Sequence, residues 1–99
     1  MRYKPKILSL ARNDLKEIRD YLKDFGNVPK HKFRKSFDKY AIDVSNNPYI
    51  YPEYEENKNY RKAIIEYGYL VFYTVDEEKK VVGIMRVLSS RRNVEDIIR

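Results

Sequence analysis

The run Tyr69-Leu70-Val71-Phe72-Tyr73-Thr74-Val75 constrains this chain more than any other stretch. Apolar side chains fill both of its faces, and its residues are β-branched or aromatic. That pattern predicts a strand in the middle of a sheet. A central strand needs a neighbour on each side, and both are close in sequence. Arg61–Tyr67 precedes it across Gly68, near enough for a tight hairpin, and Asp76-Glu77-Glu78-Lys79-Lys80 turns into a third run, Lys80–Leu88.

The first half has a different period. Ala11, Leu15, Ile18, Leu22 and Phe25 recur at spacings of four and three, the stripe of an amphipathic helix. Ser9 stands where an N-cap belongs and Gly26 where a helix ends. Pro29 fits the first turn of a second helix, whose stripe is Phe33, Phe37, Tyr40 and Val44, with Ala41 beside it, and Asn46-Asn47-Pro48 stops it. Two helices this close predict an antiparallel hairpin. Residues 3–8 are too short for a helix, and Pro5 confines them to an edge strand. Residues 47–60 contain two prolines and no helical period, a long loop whose tyrosines 49, 51 and 54 are expected to tuck onto the helices. After the third run, Ser89 or Ser90 is a candidate cap for a short helix with Val94, Ile97 and Ile98 on its apolar side.

The order is therefore β-α-α-β-β-β-(α), an α+β two-layer fold with an antiparallel sheet packed on a helical hairpin. Ninety-nine residues make one domain, 1–99, with no room for a second core. Only the C-terminal segment is left to cover the sheet's second face, so that face is the expected partner surface.

Several chemistries drop out at once. There is no cysteine, which excludes disulfides, thiolate metal sites and a cysteine nucleophile, and suits a reducing cytoplasm. No apolar run approaches the ~18 residues of a membrane span, and Met1-Arg2-Tyr3-Lys4 leads into no signal-peptide core. No glycine-rich phosphate loop and no metal-ligand spacing occurs, so neither cofactor nor metal is expected. His31, the single histidine, sits among lysines and reads as a surface residue.

Charge points to an acidic partner. The net charge is +6, and all of the excess lies in residues 1–48, where twelve Lys/Arg stand against six Asp/Glu; residues 49–99 carry nine of each. Three clusters are candidates for contact with it. Lys58, Arg61 and Lys62 lead into the second strand; Arg86 lies inside an apolar strand; Arg91 and Arg92 follow Ser89-Ser90 at its end. An arginine inside an apolar strand either pairs with an acid, such as Glu66 on a neighbouring strand, or points onto the open face. Arginines at strand ends can converge on an anion as planar bidentate donors.

The stretch from Gly68-Tyr69-Leu70-Val71-Phe72-Tyr73-Thr74-Val75-Asp76 to Ile84-Met85-Arg86-Val87-Leu88-Ser89-Ser90-Arg91-Arg92-Asn93 resembles the C-terminal half of the RelE/ParE toxins, where a "gYLvfY-v-d" strand precedes "i-RVLhgrRd". Ala11, Asp14, Leu15, Ile18, Tyr21 and Leu22 resemble the opening helix of that superfamily. Asn47-Pro48, Pro52 and Tyr60-Arg61 match its loop before the second strand. The resemblance implies a bacterial or phage toxin of a type II, plasmid-stabilisation-type, toxin–antitoxin pair, bound by a small acidic antitoxin.

The superfamily divides by mechanism. RelE-like members cut ribosome-bound mRNA without a metal and require a base, an acid and cations. In this chain the arginine they usually carry after Gly-Tyr is Leu70, and the frequent histidine before Gly-Arg-Arg is Ser89. Arg61, Tyr73 and Arg91 would be the fragments of such a site. ParE-like members poison DNA gyrase by binding it, and the unbroken Tyr69–Tyr73 with the Arg-Val-Leu-x-x-Arg-Arg ending resembles them more. The target-binding residues under either reading are Lys58, Arg61, Lys62, Arg86, Ser89, Arg91 and Arg92. A degenerate module that only binds antitoxin is the third reading.

Overall fold

In the computed structural model, which describes residues 2–98, the order of elements is β1 (Lys4–Ile7), α1 (Ser9–Lys23), α2 (Asn27–Asn46), β2 (Arg61–Ile64), β3 (Tyr69–Asp76), β4 (Val81–Ser89) and α3 (Val94–Ile97). The expected α+β two-layer fold is the one observed. The sheet runs β1-β4-β3-β2, so the doubly apolar run is an interior strand. β2 and β4 flank β3 antiparallel, whereas β1 joins β4 in parallel, from Lys4 opposite Val81 to Ile7 opposite Ile84. The helical hairpin intervenes between β1 and the other strands, and such a crossover permits a parallel neighbour. Pro5 sits on this edge strand, where its missing N–H costs least.

One face of the sheet carries the main core. Ala11, Ile18 and Leu22 of α1 and Phe33, Phe37, Tyr40 and Val44 of α2 meet Tyr69, Val71, Tyr73, Val82, Ile84 and Val87. Each Val, Leu, Ile or Phe among them that is fully withdrawn from water contributes about 1.5–3 kcal/mol. Tyr40 lies among the rings of Phe37, Tyr51 and Tyr73, and its hydroxyl is buried with no hydrogen-bond partner among the described residues.

The helix ends differ from the sequence expectation in detail. Leu8, not Ser9, occupies the N-cap position of α1, and no side chain caps it, because the Leu8 amide is held by the Ile84 carbonyl at 3.0 Å and the chain turns directly from strand into helix. Phe25, placed in the buried stripe by its spacing, lies beyond the end of α1 at Lys23 and is exposed. Gly26, at φ +100°, adopts the left-handed turn that links the two helices. Pro29 does fall in the first turn of α2.

The second face is less open than expected. Leu70, Phe72 and Leu88 are covered by Ile98, Val94 and Ile97 from the tail, but also by Tyr54 and Tyr60 from the long loop. Tyr54 therefore does not tuck onto the helices: it stands edge-on to Phe72 at 5.1 Å on the opposite side of the sheet. The loop crosses because Pro52 and Tyr54 pair along the outer edge of β2, with Lys62 N–H donating to Pro52 O (3.1 Å) and Tyr54 N–H to Tyr60 O (2.9 Å). α3 is preceded by Asn93 rather than capped by Ser89 or Ser90; the side-chain amide of Asn93 donates to the Asp96 carboxylate at 2.7 Å. No helix among the described residues is long and apolar enough to cross a membrane.

Candidate functional site

Beyond Ile84, β1 no longer accompanies β4, and α1 takes its place along that margin. Asp14, on α1, accepts from Arg86 Nε at 2.8 Å and from the other arm of the guanidinium at 2.9 Å, and also from the Val87 amide at 3.0 Å. The carboxylate is only 4% exposed and its arginine 21%. Hydrogen bonding to Asp14 holds the Arg86 guanidinium above its ordinary pKa. This corrects the reading of Arg86 as a target-binding residue: its fork is spent inside the fold. The acid is Asp14, not Glu66, because only α1 reaches the margin of β4 that β1 leaves free.

Asp14 and Val87 form part of the floor of a groove of about 620 Å³. α1 supplies one wall with Tyr21 and Leu22, and Phe25 follows just past its end. The β2–β3 hairpin supplies Tyr67 and Tyr69, and the end of β4 supplies Ser89, Arg91 and Arg92. The Tyr21 and Phe25 rings meet edge to face at 5.2 Å, and these two and Tyr67 are 56%, 61% and 48% exposed. Tyr67 holds the left-handed φ of +63°, rare for an aromatic residue, and Gly68 follows at +72°. A methyl group on Gly68 would stand 3.2 Å from Ser90 Oγ, so hairpin tip and strand end are in close contact. Ser89 shapes that end: its hydroxyl accepts from the Arg91 amide (3.2 Å) and its carbonyl from the Arg92 amide (3.1 Å), directing both exposed arginines to the rim. Burial pushes the Tyr69 phenol up, Tyr21 adds to the shift, and Arg91 opposes it.

The other candidates lie elsewhere. Arg61 starts β2 opposite Tyr73, while Ser89 is opposite Tyr69. Four residues of strand, about 13 Å, separate those positions, so Arg61 does not join the arginine pair. Its guanidinium donates to Tyr51 O at 2.7 Å and lies 4.9 Å from the centre of the Tyr49 ring. Tyr73 is fully buried and its hydroxyl donates to Pro48 O at 2.7 Å; burial pushes its pKa up to about 12. Tyr73, expected as a fragment of a nuclease site, is thus withdrawn from the surface. Lys62 extends over the Tyr54 ring at 5.5 Å and shares a shallow depression with Ser90 and Arg92 on the loop side of the sheet. Lys58 is exposed in the loop, and His31 is exposed on α2.

The structure thus unites Ser89, Arg91 and Arg92, brings Lys62 to the far side of Arg92, and leaves Arg61, Lys58 and Arg86 apart. Sequence reasoning missed Tyr21 and Asp14. An acid between Ala11 and Ile18 of an apolar stripe, three and four residues from each, was the signal for Asp14. No group of metal-ligating side chains occurs among the described residues.

A four-stranded sheet under a helical hairpin is the arrangement of the RelE/ParE-like toxin folds. The chain is similar over 90% of its length to 99% of a chain in the RelBE2 toxin–antitoxin complex of Mycobacterium tuberculosis, at 20% identity and a TM-score of 0.64. It is similar over 91% to 99% of a chain in the intact RelBE toxin–antitoxin complex of E. coli, at 22% identity and a TM-score of 0.61. No curated protein matches it in sequence. The family of ParE toxins of type II toxin–antitoxin systems, parDE, matches residues 6–94, and the chain belongs to that family.

Proposed function

We propose that this chain is a toxin that arrests DNA gyrase by binding it, and that a small acidic antitoxin holds it inactive. Tyr73 is the observation that carries the choice of target. A metal-free nuclease needs groups that reach the ribose and exchange protons near neutral pH. Tyr73 is buried against Pro48 O with its pKa pushed up to about 12, and Arg61 is engaged by Tyr51 O. What remains open is a binding surface: an aromatic groove with Arg91 and Arg92 at its rim. Exposed aromatic rings beside arginine are the chemistry of a protein interface, and arginine forks suit acidic side chains. An antitoxin segment that folds on binding is supported by the same surface, by the net charge of +6 and by the antitoxin-bound state of the two similar structures.

The deciding experiment sets the two targets side by side with purified toxin. Supercoiling by gyrase is expected to fail, with cleaved DNA accumulating, while mRNA on translating ribosomes stays intact. Site-specific mRNA cuts with unimpaired supercoiling would replace this reading by the endonuclease one.

A further inference from the structure

We propose that the crevice between α1 and α2, on the side of α1 away from the aromatic groove, binds the phosphate backbone of duplex DNA. The crevice has a volume of about 1050 Å³. Arg12, Lys16 and Arg19 line its α1 wall, Lys30 and Arg34 its α2 wall, and Asp38 is the one acid among its lining residues. The cations recur every three or four residues. At 1.5 Å per residue that is about 4.5–6 Å along each helix, between one and two of the 3.4 Å axial steps between phosphates of one strand.

These charges are free to act outward. Lys16 and Lys30 have no partner among the described residues. Arg19 and Arg34 reach only the exposed Asp20 and Asp38, at 3.9 and 3.8 Å, and such pairs are weak. Arg12 makes one long contact, 3.5 Å, to Ile7 O.

The floor of the crevice selects the occupant. An acidic amphipathic protein segment would meet the same cations, but it also holds by apolar anchors. Leu22, Phe33 and Phe37 beneath the rim are 6%, 6% and 8% exposed, and Ile7 and Leu15 beside them are partly buried against the same core, so no aromatic ring is left in the open here. Five cations over a floor without exposed rings match a ligand held chiefly by phosphate contacts. The proposal does not depend on gyrase being the target, because DNA is tested without it.

A fluorescently labelled duplex of about 20 base pairs, titrated by anisotropy between roughly 50 and 200 mM salt, provides the test. Four to five phosphate contacts give a slope of log K against log salt of about −4, a loss of roughly 200-fold over that range. Lys16→Gln with Lys30→Gln is expected to weaken binding at least about tenfold and to reduce the slope by about 2. Lys4→Gln with Lys79→Gln removes the same charge at the other end of β1 and at the β3–β4 turn, and is expected to change affinity by no more than about twofold. Glutamine keeps helix propensity, and unchanged melting of both variants confirms the fold. Equal losses in the two variants, no saturable binding at the lowest salt, or a glutamate-rich peptide bound more tightly than the duplex would each overturn the proposal.

Discussion

Two grooves run along opposite sides of α1, and both are bordered by arginine. In the first, Tyr21, Phe25 and Tyr67 remain about half exposed beside Arg91 and Arg92; in the second, the rings of Phe33 and Phe37 are buried and five cations stand along the walls. Charge alone does not tell these surfaces apart. What separates them is whether aromatic rings are left in water after the core has formed. Left-over aromatic area provides anchors for a protein partner, whereas a floor without exposed rings leaves charge as the chief attraction, which suits a polyanion.

The largest test of that contrast lies in the floor of the first groove. Asp14→Ala strands the Arg86 guanidinium and the Val87 amide, and is expected to cost about 3–5 kcal/mol, read as a fall in urea midpoint at unchanged slope. The paired change Asp14→Leu with Arg86→Met is expected to restore part of it, because an apolar pair leaves no charge unmatched while the Val87 amide still lacks its acceptor. If Asp14→Ala melts like the parent, the groove floor is not set by this ion pair.

Alkali tests the core between the grooves and the loop. The ordinary phenol pKa is 10.0, and the folded Tyr73 is pushed up to about 12, chiefly by burial. The neutral form is the one the fold favours. Its contribution is therefore complete below pH 10 and is lost as pH rises from 10 through about 12, a change of about 2–3 kcal/mol at the upper end. Denaturant midpoints and phenolate absorbance across that interval are expected to fall and rise together. Titration of all the tyrosines as one population near 10 would contradict the burial.

A smaller effect sharpens the comparison itself. Phe25→Ser is expected to leave stability within about 0.5 kcal/mol of the parent while weakening the protein partner by about 1–2 kcal/mol. Its duplex DNA binding is expected to stay unchanged. An equal loss in both binding assays would mean that the grooves act as one surface. The smallest expected effect is Tyr40→Phe, which removes a buried hydroxyl without a partner. It is expected to be neutral or to stabilise by up to about 1 kcal/mol, measured as a melting shift.

Much of this architecture was legible in the residues. The run Tyr69–Val75 and the stripes Phe33-Phe37-Tyr40-Val44 and Ala11-Leu15-Ile18-Leu22 announce their elements, because burial repeats at the period of the backbone. The candidate site was legible only in part. Ser89, Arg91 and Arg92 are adjacent in the chain and come together at one turn. Arg61 and Tyr73 share a register pair, yet one binds a loop carbonyl and the other lies beneath that loop, and neither fate is periodic. Tyr54 shows the same limit: its choice of sheet face follows from the path of the loop along β2, which two prolines permit but do not dictate.

The sequence by itself determined the order of elements, the central strand, the basic first half and the membership of a toxin family, because each is written in local period, composition or motif. Tertiary structure alone decided which arginine is buried against Asp14, which aromatic rings are left in water and which crevice keeps its cations free. Those outcomes depend on which surfaces meet across the fold, and pairing or burial between distant residues exists only once the chain has closed on itself.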